Sequence, residues 1–423
     1  MRFLFRPPAG EASALLSLPW HQPLERWDDE LLLEVPQRGI SRHVVRFTHT
    51  GGTVYALKEI DEPLARKEYA LLGAFQEEGL PAVTVLGICV DRPDELPAVL
   101  VTRYLEYSMS YRYLFSSPRA GHSAEQLVDT LVELLVRLHL AGVFWGDCSL
   151  SNTLFRLDAG AMAAYLVDAE TVERHPQLSA GQRGYDVELA TERVGGELLD
   201  LQAGGLLPPG IDPVTMAAGL PDRYTALWEA VTREELIPVD EQRFRVADRL
   251  ARLNALGFDV DEVELVTEGD GARLRVHTRV AEPGQHRREL FRLTGLEAGE
   301  NQARRLLNDL RSFRGYLEQK GGRPVPESVA GHRWVAEVYQ PVVDAVPPEL
   351  VGRLAPAEVF HEVLEHRWFL SERAGRDVGT RAAARSYFAT VLPQTPEEVT
   401  TPSVIAERPD ALHPGTGRGS VAP

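Results

Sequence analysis

The stretch GDCSLSNTLF at 146–155 constrains this chain more than any other part of it. Asp147 stands five residues before Asn152 in a short polar loop, after a broad apolar helical pattern at 126–142 and directly before a strand pattern. Sixteen residues beyond Asn152, the apolar run AYLV closes on Asp168 within LVDAET at 166–171. Upstream, VYALKEI at 54–60 sets Lys58 in the middle of another apolar strand. A helix, a polar loop and two strands in this order, with a separate strand carrying a lone cation, predict an α+β chain.

The rest of the pattern fits that class. Strands are expected at 31–35, 43–50 and 54–60, with Gly51-Gly52 as the hairpin turn between the last two. Leu64, Tyr69, Leu71, Leu72 and Phe75 then recur at helical spacing until Gly79, and two more strands follow at 84–90 and 98–105. A further helix is expected over 184–205 and a Pro/Gly-rich break at 207–213. From about 235 the chain reads as a helix at 244–257, a hairpin over 263–280 and then several helices. The boundaries expected are a leading segment 1–28, a first domain 29–230, a mainly helical domain 235–392 and a tail 393–423 too poor in apolar residues to order itself.

Composition excludes several classes. The formal net charge of −17 argues against nucleic acid as a partner. The Arg-rich stretch 243–333 has interleaved acidic residues and reads as an ion-paired surface. No apolar run is long enough to predict a transmembrane helix, and Pro7, Pro8 and Glu11 interrupt the N-terminus before a signal-peptide core could form. With only Cys89 and Cys148, a disulfide framework is not expected, and a cytoplasmic setting without membrane insertion is. Lysine is scarce: Lys58, Lys67 and Lys320 are the three in the chain, and every other basic residue is Arg. A Lys kept at position 58 suggests a need for a compact ammonium where a planar guanidinium would not fit.

The polar groups match the needs of phosphoryl transfer, which relies on positioning and charge more than on covalent chemistry. Lys58 is the candidate cation for the α- and β-phosphates of ATP, with Glu68 in the following helix as its partner. Asp147 is the candidate catalytic carboxylate beside Lys58, and Asn152 and Asp168 are the candidate Mg²⁺ ligands. Gly39 and Ser41 in QRGISRHVV are candidates to approach a phosphate through backbone amides, and Arg103 and Tyr104 complete the nucleotide-binding set. Asp186 has two readings, a brace beneath the catalytic loop or a carboxylate favoured by a helix N-terminus. His361, Glu362, Glu365 and His366 miss the zinc spacing His-Glu-x-x-His by one residue, so core packing and surface ion pairs are the better reading of that helix.

On these motifs, residues 29–230 resemble the protein-kinase-like superfamily, and within it the RIO-type, aminoglycoside phosphotransferase-like and lipopolysaccharide (Kdo/WaaP-type) kinases. The whole chain, with ENQARRLLNDL and FHEVLEHRWFLSERAGRD, resembles a bacterial family of unknown function that adds a helical domain to such a module. The resemblance implies a bilobal protein-kinase-like fold: an N-lobe of antiparallel sheet plus helix, a helical C-lobe, then a mainly helical second domain with a β-hairpin. It implies ATP- and Mg²⁺-dependent phosphorylation of an acceptor hydroxyl. Three departures stand out: Trp145-Gly146-Asp147 replaces His-Gly-Asp, Asp168-Ala169-Glu170 replaces Asp-Phe-Gly, and the phosphate loop has one glycine. Glu170 then either adds a metal ligand or faces solvent. Seventeen residues separate Asp168 from Asp186 without an Ala-Pro-Glu triplet, which favours a small molecule, a glycan or a dedicated protein as acceptor over general peptides. The rival expectation is a nucleotide-binding pseudokinase acting as scaffold or sensor, and 235–392 is the segment left for a protein partner or dimerisation.

Overall fold

Strands β3 (Val44–Thr50) and β4 (Thr53–Ile60) pair antiparallel, and β4 pairs on its other side with β6 (Ala98–Arg103). The computed structural model describes residues 1–6, 11–35, 42–50, 53–116, 123–232, 235–238, 260–268, 273–280 and 284–395. The architecture is α+β, as expected: antiparallel sheet with helices, and a mainly helical remainder. The described residues gather into two compact units, one drawn from 1–62, 86–108 and the chain from 339 onward, the other from 63–85 and 109–338.

In the first unit six strands run in the order β1-β5-β6-β4-β3-β2, where β1 is Arg2–Phe5, β2 Leu32–Leu33 and β5 Val85–Val90. Strand β5 is buried along its whole length, which explains its unbroken apolar run. Strand β1 was not expected. Its Phe5 lies opposite Gly87, where a Cβ would come within 2.2 Å of the Phe5 ring, so the edge strand docks only because residue 87 is glycine. Residues 1–28, read from sequence only as a leading segment, also supply Leu15, Trp20, Leu24 and Trp27 to the core against Tyr55, Leu57, Leu86, Cys89, Val99 and Val101.

A buried ion pair fastens that segment. Arg92 Nη1 lies 2.6 Å from Glu59 on β4, while its Nε donates to Trp20 O at 2.8 Å. The guanidinium also donates to the carbonyls of Gln22 and Pro97, so four of the five N–H donors of the desolvated charge are engaged. Farther along the chain this unit holds the helices Pro356–Ala374 and Thr380–Thr390. There His361 Nε2 sits 3.6 Å from Glu365, His366 shares a hydrogen bond with Ser386 Oγ, and Tyr387 donates to Glu362. Among the described residues these groups form no metal cluster.

The first unit holds helix α1 (Ala12–Leu16), and the second holds α2 (Glu62–Glu78), α3 (Tyr111–Ser116), α4 (Ala124–Leu140), α5 (Ala180–Ala203), α6 (Pro213–Ala218) and α7 (Leu220–Thr232). Ser123 and Ser179 cap α4 and α5 through capping boxes with Gln126 and Gln182. A two-residue strand, β7 (Ser108–Met109), precedes α3, and after α4 the chain passes through another, β8 (Val143–Phe144), and the polar loop, into the hairpin of β9 (Thr153–Asp158) and β10 (Ala161–Leu166). This order is the one the sequence predicts around GDCSLSNTLF. A separate sheet pairs Val260–Glu268 and Glu235–Pro238 with the two edges of Arg273–Val280. The first and last of these three strands form the expected hairpin; the helix expected at 244–257 lies outside the described residues, as does the Gly51-Gly52 turn.

The helix Glu300–Gly321 is anchored on the β9–β10 hairpin. Buried Asp158 accepts from the backbone N–H of Asn301 at 3.0 Å and Gln302 at 2.7 Å, a carboxylate at a helix N-terminus. A Cβ at Gly299 would come within 2.3 Å of that carboxylate, so the approach requires glycine there. No helix among the described residues is long and apolar enough to cross a membrane.

Candidate active site

The polar loop after α4 is held from below by α5. Asp186, fully buried, accepts from the backbone N–H of Trp145 at 2.7 Å and of Gly146 at 2.8 Å, and its Oδ2 lies 3.0 Å from His139 Nε2. The other ring nitrogen of His139 meets Tyr224 OH at 2.7 Å. Of the two readings of Asp186, the brace is the observed one. Eleven residues on, three helical turns along the same face of α5, Glu197 accepts from Leu150 N at 2.7 Å and Ser151 N at 2.9 Å. Burial pushes the Glu197 carboxyl above its ordinary value, against the hydrogen bonds from Ser151 and Leu150 that pull it down. Gly146 sits at φ +75°, a left-handed conformation that lets the loop turn toward Asp147.

This bracing fixes Asp147 and Asn152 relative to each other. The Asn152 amide donates to Asp147 Oδ2 at 2.9 Å and to the Asp147 carbonyl at 3.1 Å. Its NH₂ group is thereby committed, and its side-chain oxygen is the atom with acceptor capacity to spare. Asp147 Oδ1 lies 3.2 Å from Nε of Arg193, a residue of α5 whose side chain is 59% exposed. Between Asp147 and Ser149, Cys148 is buried and its thiol is held far above the ordinary range by desolvation first and by the Asp186, Glu197 and Asp147 carboxylates next, so it stays protonated. Trp145 is fully buried, and its Nε1–H has no acceptor among the described residues.

The second cluster lies just after β10. Val167 N donates to Asn152 O at 3.0 Å, which extends the hairpin register past Leu166 opposite Thr153 and brings Asp168 beside the loop. Carboxylate oxygens of Glu68, Asp168 and Glu170 lie within 4.8 Å of one another, with Glu68 almost wholly buried on α2. At that spacing each like-charged pair costs about 3 kcal/mol at an effective dielectric of ~20. Three hard oxygen donors at this separation suit a divalent cation such as Mg²⁺, so the residues fit the metal that the motif implies. Around them, Glu170 N donates to Asp168 Oδ1 at 2.9 Å, Lys67 Nζ donates to Glu170 O at 2.7 Å, and Thr171 Oγ1 donates to Trp145 O at 2.8 Å.

Asp147, Asn152, Asp168 and Glu68 are thus in one unit. Lys58, Arg103 and Tyr104 are in the other. Lys58 lies on β4 with Val45 and Leu100 as its register partners, Arg103 lies opposite Tyr55, and buried Tyr104 donates its N–H to Val54 O at 2.9 Å. Gly39 and Ser41 lie outside the described residues. Sequence reading missed Lys67, Arg193 and Glu197. Positions 186, 193 and 197 are spaced by seven and four on one helix, so the helical period was the signal that could have found the last two.

Residues 45–183 match the profile of the lipopolysaccharide kinase (Kdo/WaaP) family. These residues are a kinase-like module. Residues 226–392 match a domain of unknown function, DUF4032. Among solved structures, the chain is similar to "WaaP in complex with acyl carrier protein" at 17% identity and a TM-score of 0.34, over 60% of this chain and 97% of that one. The curated proteins contain no significant match. The superfamily resemblance read from the motifs therefore holds for the module, with a further domain after it, and the module is of the phosphotransferase type.

Proposed function

We propose that the chain is an ATP- and Mg²⁺-dependent phosphotransferase that moves the γ-phosphate to a hydroxyl of a small-molecule, glycan or dedicated protein acceptor. One observation carries this reading: within a single unit, the Asp147–Asn152 pair is hydrogen-bonded and Asp168 converges with Glu68 and Glu170. Asp147 orients the acceptor hydroxyl and takes its proton, and the Asn152 amide keeps the carboxylate turned toward that task. Asp168 and the Asn152 side-chain oxygen hold the metal, with Glu68 and Glu170 as neighbouring carboxylates. The metal, when bound, offsets the charge on the phosphates. Lys58, Arg103, Tyr104, Gly39 and Ser41 are assigned to the nucleotide. The setting proposed is the cytoplasm, where ATP is available, and 235–392 is assigned to a partner or to dimerisation.

Arg193 favours a second reading. It lies 3.2 Å from the Asp147 oxygen that Asn152 does not hold, and a base engaged on both oxygens suits a nucleotide-binding pseudokinase. Incubation with γ-labelled ATP and Mg²⁺, wild type beside Asp168→Ala, separates the two. Asp168-dependent ATP loss or label transfer, alone or with cell extract as acceptor source, is the expected result. Tight ATP binding with no transfer in any of these conditions would establish the scaffold instead.

A further inference from the structure

Two adjacent residues of α2 reach the segment that follows β10. Glu68 brings its carboxylate into the cluster with Asp168 and Glu170, and Lys67 donates to the Glu170 carbonyl at 2.7 Å across 103 residues of sequence. The same Glu170 supplies the N–H that holds Asp168 Oδ1 at 2.9 Å. The ammonium of Lys67 therefore grips, through one residue, the group that orients Asp168. On the far side Thr171 is tied to Trp145 of the catalytic loop.

The residue between the two carboxylates is Ala169, buried completely but with only a methyl group to pack. A segment that carries two like charges beside a third, and that has no large side chain to seat it, needs a polar anchor to hold its shape. Lys67 is exposed, so ordering its long side chain carries an entropic cost, and it is one of only three lysines in a chain otherwise supplied with Arg. A carbonyl oxygen is a single acceptor, which a compact ammonium meets end-on and a planar fork does not match.

We propose that Lys67 is a positioning residue for the metal site: it clamps the Asp168–Glu170 segment to α2 and so sets the geometry in which the carboxylates meet a divalent cation. The inference rests on the phosphotransferase reading of that site. It has a sign that distinguishes it from a charge effect. Removing a cation beside carboxylates should tighten metal binding by electrostatics alone, whereas loss of a clamp should weaken it.

Manganese serves as the probe, with free Mn²⁺ followed by electron paramagnetic resonance on the full-length protein in the presence of a non-hydrolysable ATP analogue. Lys67→Met is expected to weaken Mn²⁺ binding by about 10-fold or more, the usual consequence of losing a group that orients metal ligands. Metal-free nucleotide affinity and the melting temperature should stay as in wild type, and Lys67→Arg should recover part of the loss. Unchanged or tighter Mn²⁺ binding in Lys67→Met would overturn the inference while leaving the phosphotransferase reading intact. Absence of Mn²⁺ binding by the wild type would overturn both. If Lys67→Met melts early, Lys67→Ala, which removes the donor without placing an apolar side chain at an exposed site, gives the same reading: weaker binding supports the clamp and wild-type binding refutes it.

Discussion

The polar loop at 146–155 and the carboxylate-bearing segment after β10 are neighbours held by different means. The loop hangs by backbone N–H groups on two carboxylates of one helix, Asp186 fully buried and Glu197 half-buried. The segment is tied to its surroundings through backbone carbonyls, which accept from exposed Lys67 at Glu170, from Thr171 at Trp145 and from Val167 N at Asn152, with a further bond from Glu170 N to Asp168. Buried bonds to charged acceptors are strong and lose much when broken, whereas exposed ones contribute less and rearrange more easily. The loop is thus built as a fixed frame and the segment as an adjustable one. Changes to the frame should appear in stability, and changes to the segment in rate and metal affinity.

The largest effect is expected where chemistry and frame are separable. Asp147→Ala and Asp168→Ala should each lower turnover by about 10²–10³-fold with little change in melting temperature, since both side chains are assigned to ligands. Chemical denaturation and single-turnover kinetics on the same samples check both halves. Next, Asp186→Ala strands the N–H groups of Trp145 and Gly146 and frees His139, for a loss of about 3 kcal/mol in unfolding free energy. A melting curve indistinguishable from wild type would break the comparison at its strongest point. Gly146→Ala, at φ +75°, should cost about 1–2 kcal/mol through the left-handed backbone alone.

The smallest effect is the most diagnostic of burial. Glu197→Gln keeps an acceptor but loses one of two charge-assisted bonds, for about 1 kcal/mol at neutral pH. Because desolvation raises the Glu197 carboxyl above its ordinary 4.5, its protonated form is favoured in the folded state. The contribution from this shift is fully present below 4.5 and is lost as pH rises through the raised folded value. The stability of wild type relative to Glu197→Gln should therefore improve as pH falls from neutrality toward 4.5. A difference that is constant over that window, measured by urea unfolding at several pH values, would mean that Glu197 is better solvated than its position indicates.

Much of this was legible in the sequence because the decisive groups are close together along it. Asp147 and Asn152 are five apart, and the strand that ends in Asp168 returns through one hairpin, so spacing and period were enough to place them. Strand β1 was not legible, since four residues before a Pro-Pro pair look like a free end until Gly87 is seen to admit Phe5. Glu68 was read as a partner for Lys58, and its place beside Asp168 and Glu170 depends on a contact 100 residues away that no local pattern encodes. Lys67 was noticed only as a rarity. Its role comes from reaching a backbone carbonyl, a contact that carries no side-chain signature at its far end.

The central claim is that the Asp147–Asn152 pair and the Asp168 cluster together perform phosphoryl transfer. Its most direct test is single-turnover transfer from γ-labelled ATP with Mg²⁺, comparing wild type, Asp147→Asn and Asp168→Ala at matched melting temperatures. Transfer by the wild type that falls by about 10²-fold or more in both variants is the predicted result. Equal transfer by all three would contradict the account.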